Sequence, residues 1–252
     1  MEKWIEFCKW AKNKPRCYFL GMGDYDDLAS TSERGILGDS KLHDSTRITL
    51  EQMYEKHTDR LAKEMDFMKG RLIGLIEGNH YSLFSDGCTT TQRLCYKLGG
   101  VKYLGVTCFI VLILRYDRTH AHRVVIWAHH GLGAGRLVGG SINKVEQMEK
   151  NAEADIYLMG HDHKKSAALL NKLCIRDAPL DYMEPSMKKI LLARTGTFLR
   201  GYSDKYPSYV ADAGMSPTDI GVVKIELTPK REQLRRNGKK QDYRWVDIHA
   251  SI

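Results

Sequence analysis

The stretch Asp155-Ile156-Tyr157-Leu158-Met159-Gly160-His161-Asp162-His163, "DIYLMGHDH", is an apolar run that stops at a glycine and two histidines. A short apolar run closed by a glycine reads as a buried strand. The imidazoles after it offer metal ligands, acid–base groups or the decoration of a loop. The same design recurs three times upstream. "CYFLGM" at 17–22 runs into "GDYDD", "RLIGL" into "IEGNHY", and "HRVVI" into "WAHHG". In open α/β sheets the carboxyl ends of strands face one crevice, so four such ends have a place to converge.

Between these strands the sequence reads as helices and loops. Trp4, Ile5, Cys8 and Ala11 form a helical stripe that Pro15 limits. Residues 29–46 are a polar, glycine-containing loop, longer than most connections and so a candidate lid. A helix is expected from Thr49, where Gln52 completes a capping box, with Met53, Tyr54, His57, Leu61, Met65 and Met68 at helical spacing. Further helices are expected near 90–98 and 142–153. "VTCFIVLILRYD" and "HRVVIWAHHG" read as a hairpin about the turn Asp117–His122. The segment 166–188 is not legible, and strands follow at "KILLARTGTF", "IGVVKIEL" and "YRWVDIHASI". The order is that of a layered α/β protein.

The chain has 252 residues, enough to bury a substantial core, and one domain is expected, with a basic strand or hairpin segment at about 226–252. Charged residues at 28% and hydrophobic ones at 42% are those of an ordinary soluble protein. The formal charge of +8 favours polyanionic partners, since a basic surface attracts phosphate groups over a Debye length of about 8 Å. Six cysteines, at 8, 17, 88, 95, 108 and 174, show no CxxC spacing and read as reduced thiols. The longest apolar run, Val106 to Leu114, is far shorter than the roughly 20 residues that span a bilayer. A membrane protein is excluded on this reading and a cytoplasmic one expected.

Asp24, Asn79, His129 and His161 supply one carboxylate, one amide oxygen and two imidazoles, a set suited to Mn²⁺, Fe or Zn²⁺ rather than Ca²⁺. From an extended chain His163 would point away from His161 and toward a neighbouring ion, with Asp24 able to bridge the two. Two ions clamp a phosphate and activate water for in-line attack, so a phosphoester substrate follows. His80, beside Asn79, is free to protonate the leaving alkoxide. Singly, "GD" and "GNH" are ordinary turns. In order, at spacings of 55, 50 and 32 residues that accommodate helix-plus-strand units, they point to one site.

The ordered series "GDYDD", "GNH", "AHHG", "GHDH" is similar to that of the calcineurin-like metallophosphoesterase family, over residues 17 to 163. The resemblance implies a four-layer αββα fold, a β-sandwich flanked by helices, with a two-metal site at the strand ends. It implies that Asp24 bridges both metals, that Asn79, His129 and His161 complete one site, that His163 belongs to the other, and that His80 is the general acid. Asp27 would stand behind the ligands. His129 is preferred to His130 because the family's histidine is followed by one residue and then Gly or Pro; His130 is the second choice. Arg194, Thr195 and Thr197 follow the metal motifs and either grip phosphate or form a surface turn.

The family begins with a D-x-H pair that supplies two ligands to the first metal, and here Met1 already lies in the helix that should follow it. The first strand is thus missing on this reading. Three expectations follow: a shortened form of a complete enzyme, a natural chain with one weakly held metal or no activity, and restoration of the pair by Asp247 and His249 of "DIH". Tyr81 also replaces the acidic residue that orients the family's histidine. The alternative to a phosphoesterase is a catalytically impaired phosphate- or nucleic-acid-binding relative. Lys230, Arg231, Arg235, Arg236, Lys239, Lys240 and Arg244 would contact such a backbone.

Overall fold

The structure is a computed structural model that describes residues 2–14, 16–27, 31–37, 42–133, 137–175, 185–203, 208–236 and 239–252. It is a mixed α/β protein in which the described residues gather into two units. Met1–Cys108 with His129–Leu132 form the first, and Phe109–Ala128 with Gly133–Ile252 the second.

In the first unit, helix α1 (Glu2–Lys12) carries Glu2 in its first turn and Lys9 and Lys12 in its last, each complementing the helix dipole. Its buried stripe is Trp4, Phe7 and Ala11, while Ile5 faces solvent, so the stripe is rotated from the expected one. Strand β1 (Phe19–Gly21) pairs in parallel with β2 (Leu72–Leu75). Phe19 and Leu75 pack with Met65, Met68, Leu94 and Leu98 in one apolar cluster. Each such fully buried side chain contributes about 1.5–3 kcal/mol.

Between β1 and β2 lie α2 (Thr31–Leu37) and α3 (Asp44–Met65). Residues 31–37 of the expected lid loop are therefore helical, while 28–30 and 38–41 lie outside the described residues. Helix α3 starts five residues before Thr49, with the His43 ring accepting from Ser45 N. Thr49 is no cap; its hydroxyl donates back to Ser45 O within the helix. Helix α4 (Thr90–Lys97) has the full capping box of Thr89 and Gln92 at the expected place.

The second unit holds a five-stranded mixed sheet in the order β3-β4-β5-β7-β6. Strands β3 (Thr107–Arg115) and β4 (Ala121–His129) flank the expected turn, which is held by Tyr116 N donating to His120 O and by the Asp117 carboxylate. Strand β5 (Ile156–Met159) is central, is buried at every residue, and runs parallel to β7 (Pro185–Thr195). Such two-sided burial explains its unbroken apolar sequence. Strand β6 (Lys165–Ile175) pairs antiparallel with β7 over the segment that sequence left illegible. Helix α5 (Val138–Glu149) covers one face, where Val145 and Met148 meet Tyr157, Met159, Ile190 and Leu192. After α6 (Tyr209–Asp212), β8 (Lys224–Arg236) and β9 (Lys239–Ser251) form a separate two-stranded ribbon. All six cysteines are free, and no helix among the described residues is long and apolar enough to cross a membrane.

Candidate metal centre

In the first unit, β1 ends in a sharp turn. Gly23 has φ +97° and Asp24 φ +51°, a left-handed pair that brings the Asp24 carboxylate back over the loop that follows β2. Asp24 Oδ1 accepts the backbone N–H groups of Asn79 at 2.8 Å and His80 at 3.0 Å. Asp24 Oδ2 is 3.2 Å from His130 Nε2. Burial opposes the charge on Asp24, but His130 and the N–H of His80 outweigh it and hold the carboxyl below its ordinary range.

His130 is buried, and its two ring nitrogens have separate duties. Nδ1 donates to Met22 O at 2.7 Å, since a carbonyl only accepts. Nε2 meets Asn79 Oδ1 at 3.0 Å as well as Asp24. Burial disfavours its cationic form, yet Asp24 and the Met22 carbonyl together raise its pKa. His129, the preferred ligand on sequence grounds, takes no part in this group; its Nδ1 accepts from Gly131 N at 2.8 Å. Strand alternation is the reason. His130 continues the buried side of Val124, Ile126 and Ala128, and His129 the opposite side. Of the two histidines, His130 is the one the structure brings beside Asp24 and Asn79.

Two glycines leave room for this contact. A Cβ on Gly23 would lie 2.3 Å from His130 Nδ1, and one on Gly78 would lie 2.0 Å from Asp24 Oδ1 and 2.2 Å from Asp24 N. Gly78→Ala is expected to destabilise the chain by about 1–3 kcal/mol, because backbone on the far side cannot yield. Urea unfolding checks it, and an unchanged midpoint would remove the close approach from the account.

His80 Nδ1 lies 2.9 Å from Asp27 Oδ1. Its pKa is raised, first by the Asp27 carboxylate beside it, against burial, and then by the charges of Asp24 and Asp27. Three residues escaped the sequence reading. Asp26 is pushed up to about 7 by burial and by the charges of Glu77, Asp24 and Asp27. Glu77 is itself buried and takes hydrogen bonds from Thr91 and Tyr103. Both stand inside the quoted motifs, so their place beside Asp24 and Asn79 was the available signal. Arg34 of α2 donates through Nη1 to Asn79 O at 2.7 Å and Tyr81 O at 2.8 Å, with its guanidinium 3.8 Å from the Tyr81 ring centroid. No motif marked it.

In the second unit, β5 delivers His161 and His163 in a turn after Gly160. Both are left-handed, with φ +73° and +58°. The expectation that they point apart because the chain is extended therefore rests on a conformation the chain does not adopt. Asp162 between them is buried, accepts from Ser141 Oγ, and lies 3.5 Å from Arg194 Nε. Arg194 is fully buried at the end of β7, with Nε on Ser141 O at 2.9 Å and Nη1 on Gly160 O at 2.7 Å. It is not placed to grip phosphate, which corrects that expectation. Thr195 ends β7 opposite Lys165 and is half-buried, and the Thr197 hydroxyl accepts from Leu199 N.

Asp247 and His249 lie exposed on β9, which pairs along its whole length with β8. Asp247 is 3.6 Å from Lys189 Nζ, and Ser251 Oγ is 3.4 Å from His249 Nε2. The pairing strand of β9 is β8. Comparison of the chain with family models, curated proteins and solved structures finds no match to any of them.

Proposed function

We propose that the chain is a divalent-metal-dependent phosphoesterase, hydrolysing a phosphomonoester or phosphodiester with a metal-activated water, and that it has the β-sandwich architecture of the calcineurin-like family. The reading is carried by one observation. His130 Nε2 stands 3.0 Å from Asn79 Oδ1 and 3.2 Å from Asp24 Oδ2, while Met22 O holds its other nitrogen as the donor. Ligand atoms about 2.0–2.1 Å from a tetrahedral ion lie about 3.3 Å apart, so these donors are spaced as neighbours around one ion.

Within the first unit, Asp24 and His130 each offer one ligand atom, and Asn79 adds an amide oxygen. His163 would serve a second ion. This mixed set favours Mn²⁺, with Fe or Zn²⁺ as alternatives. A bound ion supplies Lewis-acid polarisation of a phosphoryl oxygen and a water acidic enough to attack at neutral pH. The chain's own residues do the rest. Asp24 Oδ1 keeps the Asn79–His80 loop in place through two N–H groups, and His130 keeps its proton on Nδ1 so that Nε2 is the ligand atom. His80, whose protonated form the neighbouring Asp27 carboxylate favours, would give its proton to the leaving alkoxide oxygen. The test is hydrolysis of bis(p-nitrophenyl) phosphate with added Mn²⁺. Turnover abolished by EDTA is expected, and none by folded protein under Mn²⁺, Fe²⁺ or Zn²⁺ would overturn the reading.

A second reading, nucleic-acid binding with or without cleavage, is favoured by the ribbon. Its register sets Arg231 opposite Arg244, Arg235 opposite Lys240 and Arg236 opposite Lys239. Like charges across a strand pair are destabilising. Asp242 offsets the first pair by accepting from both arginines, and the sequence adds Arg235, Arg236, Lys239 and Lys240 to the ribbon as further cations for a phosphate backbone. Single-stranded DNA is expected to bind with an affinity that falls steeply between about 50 and 200 mM salt. Fluorescence anisotropy checks it, and a salt-independent signal would count against backbone contact.

A further inference from the structure

We infer that Arg194 is a positioning residue, a buried latch that fixes the Gly160–His163 turn so that its two histidines face a metal. This rests on the reading of His161 and His163 as ligands and adds to it the part that holds them.

The turn is unusual in its backbone. Two non-glycine residues, one apart, both adopt left-handed φ, a conformation that costs energy and persists only where the surroundings over-determine it. The surroundings here are a closed set of hydrogen bonds. Gly160 O takes Arg194 Nη1 at 2.7 Å and Asp162 N at 3.0 Å. The Asp162 carboxylate takes Ser141 Oγ, and Lys164 N at 3.4 Å, with Arg194 Nε 3.5 Å away. His163 O takes Asp219 N at 3.0 Å, and Lys164 O takes Gly196 N at 2.9 Å. Arg194 joins three of these pieces: the carbonyl before the first histidine, the carboxylate between the two, and the main chain of α5 at Ser141 O, 2.9 Å from its Nε.

The chemistry of the side chain suits that role and no other. Its side chain is 0% exposed and Asp162's is 1%, so it cannot reach a substrate from solvent. A planar guanidinium presents donors at fixed angles, which allows Nε and Nη1 to hold two carbonyls in a set relation. A lysine has the charge without the fork. A guanidinium buried against the carboxylate between the two ligand positions also holds that carboxylate in the turn rather than in the site. Groups of this kind, behind metal ligands, change metal affinity by about 10–100-fold when altered.

The experiment measures Mn²⁺ affinity of the full chain, from free-ion EPR, together with the melting temperature in EDTA. Five proteins are compared: wild type, Arg194→Lys, Asp162→Asn, Ser141→Ala and Thr58→Ala. Thr58 is buried in α3 and donates to Tyr54 O one turn back in the same helix, so it reports loss of stability alone. Arg194→Lys, Asp162→Asn and Ser141→Ala are expected to weaken Mn²⁺ about 10–100-fold, with Thr58→Ala binding as wild type does at a comparable loss of melting temperature. Ser141→Ala keeps all three arginine contacts and removes only the hydroxyl that the Asp162 carboxylate accepts, so it gauges that second support of the turn; Asp162→Asn, which removes the charge facing Arg194 Nε, carries the test if Arg194→Lys does not fold. Wild-type affinity in a folded Arg194→Lys or Asp162→Asn protein overturns the latch alone. A wild-type chain that binds no Mn²⁺ overturns the ligand reading as well, so the two failures are distinct.

Discussion

Asp24→Asn is expected to lower metal-dependent phosphodiester hydrolysis by more than about a thousandfold while leaving the chain folded. A metal ion contributes several kcal/mol of charge stabilisation in the transition state, and each 1.36 kcal/mol is a factor of ten in rate. Asparagine keeps an oxygen for the N–H groups of Asn79 and His80, which Asp24 Oδ1 now serves. It removes the charge that faces His130. The same substitution should flatten the stability profile in EDTA. Asp24 is held below its ordinary 3.8, so its contribution is present above that pH and is lost as pH falls through the folded value. His130 is held above its ordinary 6.5, so its contribution is complete below 6.5 and is lost as pH rises through the folded value. The metal-free wild type is therefore most stabilised by this pair between about pH 4 and 6.5, and Asp24→Asn should lose that maximum. Urea midpoints across pH check it, and parallel profiles would contradict the pair.

His80→Ala is expected to cost about 10²–10⁴-fold on a substrate with an alkoxide leaving group, and much less on a p-nitrophenyl ester. Nitrophenolate departs without a proton, whereas an alkoxide needs one. That contrast separates a general acid from a residue that only packs. Asp27→Asn should act through His80. Asp27 is the first cause of its raised pKa, and a general acid works only while protonated, so activity falls as pH rises through that value. Removing Asp27 moves this alkaline limb to lower pH. A limb that stays in place in Asp27→Asn would show that another group supplies the proton.

The strands that carry the motifs were legible because each is an apolar run cut by glycine, and β5 could be read from five letters. Elsewhere local sequence and tertiary context disagree. Ser166-Ala167-Ala168-Leu169-Leu170-Asn171-Lys172-Leu173 is rich in good helix formers, yet β6 is a strand because eleven residue pairs bind it to β7. Thr49 and Gln52 fit a capping box by spacing, but the helix had already begun at Asp44. In the site, Asp24, Asn79 and His80 followed from pattern alone. The choice of His130 over His129 did not, because "VVIWAHH" is apolar on both sides of the strand and its inward parity cannot be read. Arg34, and the buried place of Arg194, escaped for a related reason: each donates to main-chain carbonyl oxygens distant in sequence, and main-chain partners leave no trace in side-chain motifs. The left-handed turn at His161 and His163 was hidden in the same way, since histidine carries no mark of a positive φ.

The central claim is that Asp24, Asn79 and His130 are ligands of a divalent ion. Its most direct test is a Mn²⁺ titration of the full chain, with free ion counted by EPR, in wild type, Asp24→Asn, His130→Ala and His129→Ala. The account predicts stoichiometric binding by wild type and His129→Ala, and its loss in Asp24→Asn and His130→Ala. A folded wild-type chain that takes up no Mn²⁺, or binding that survives in both Asp24→Asn and His130→Ala, would contradict it.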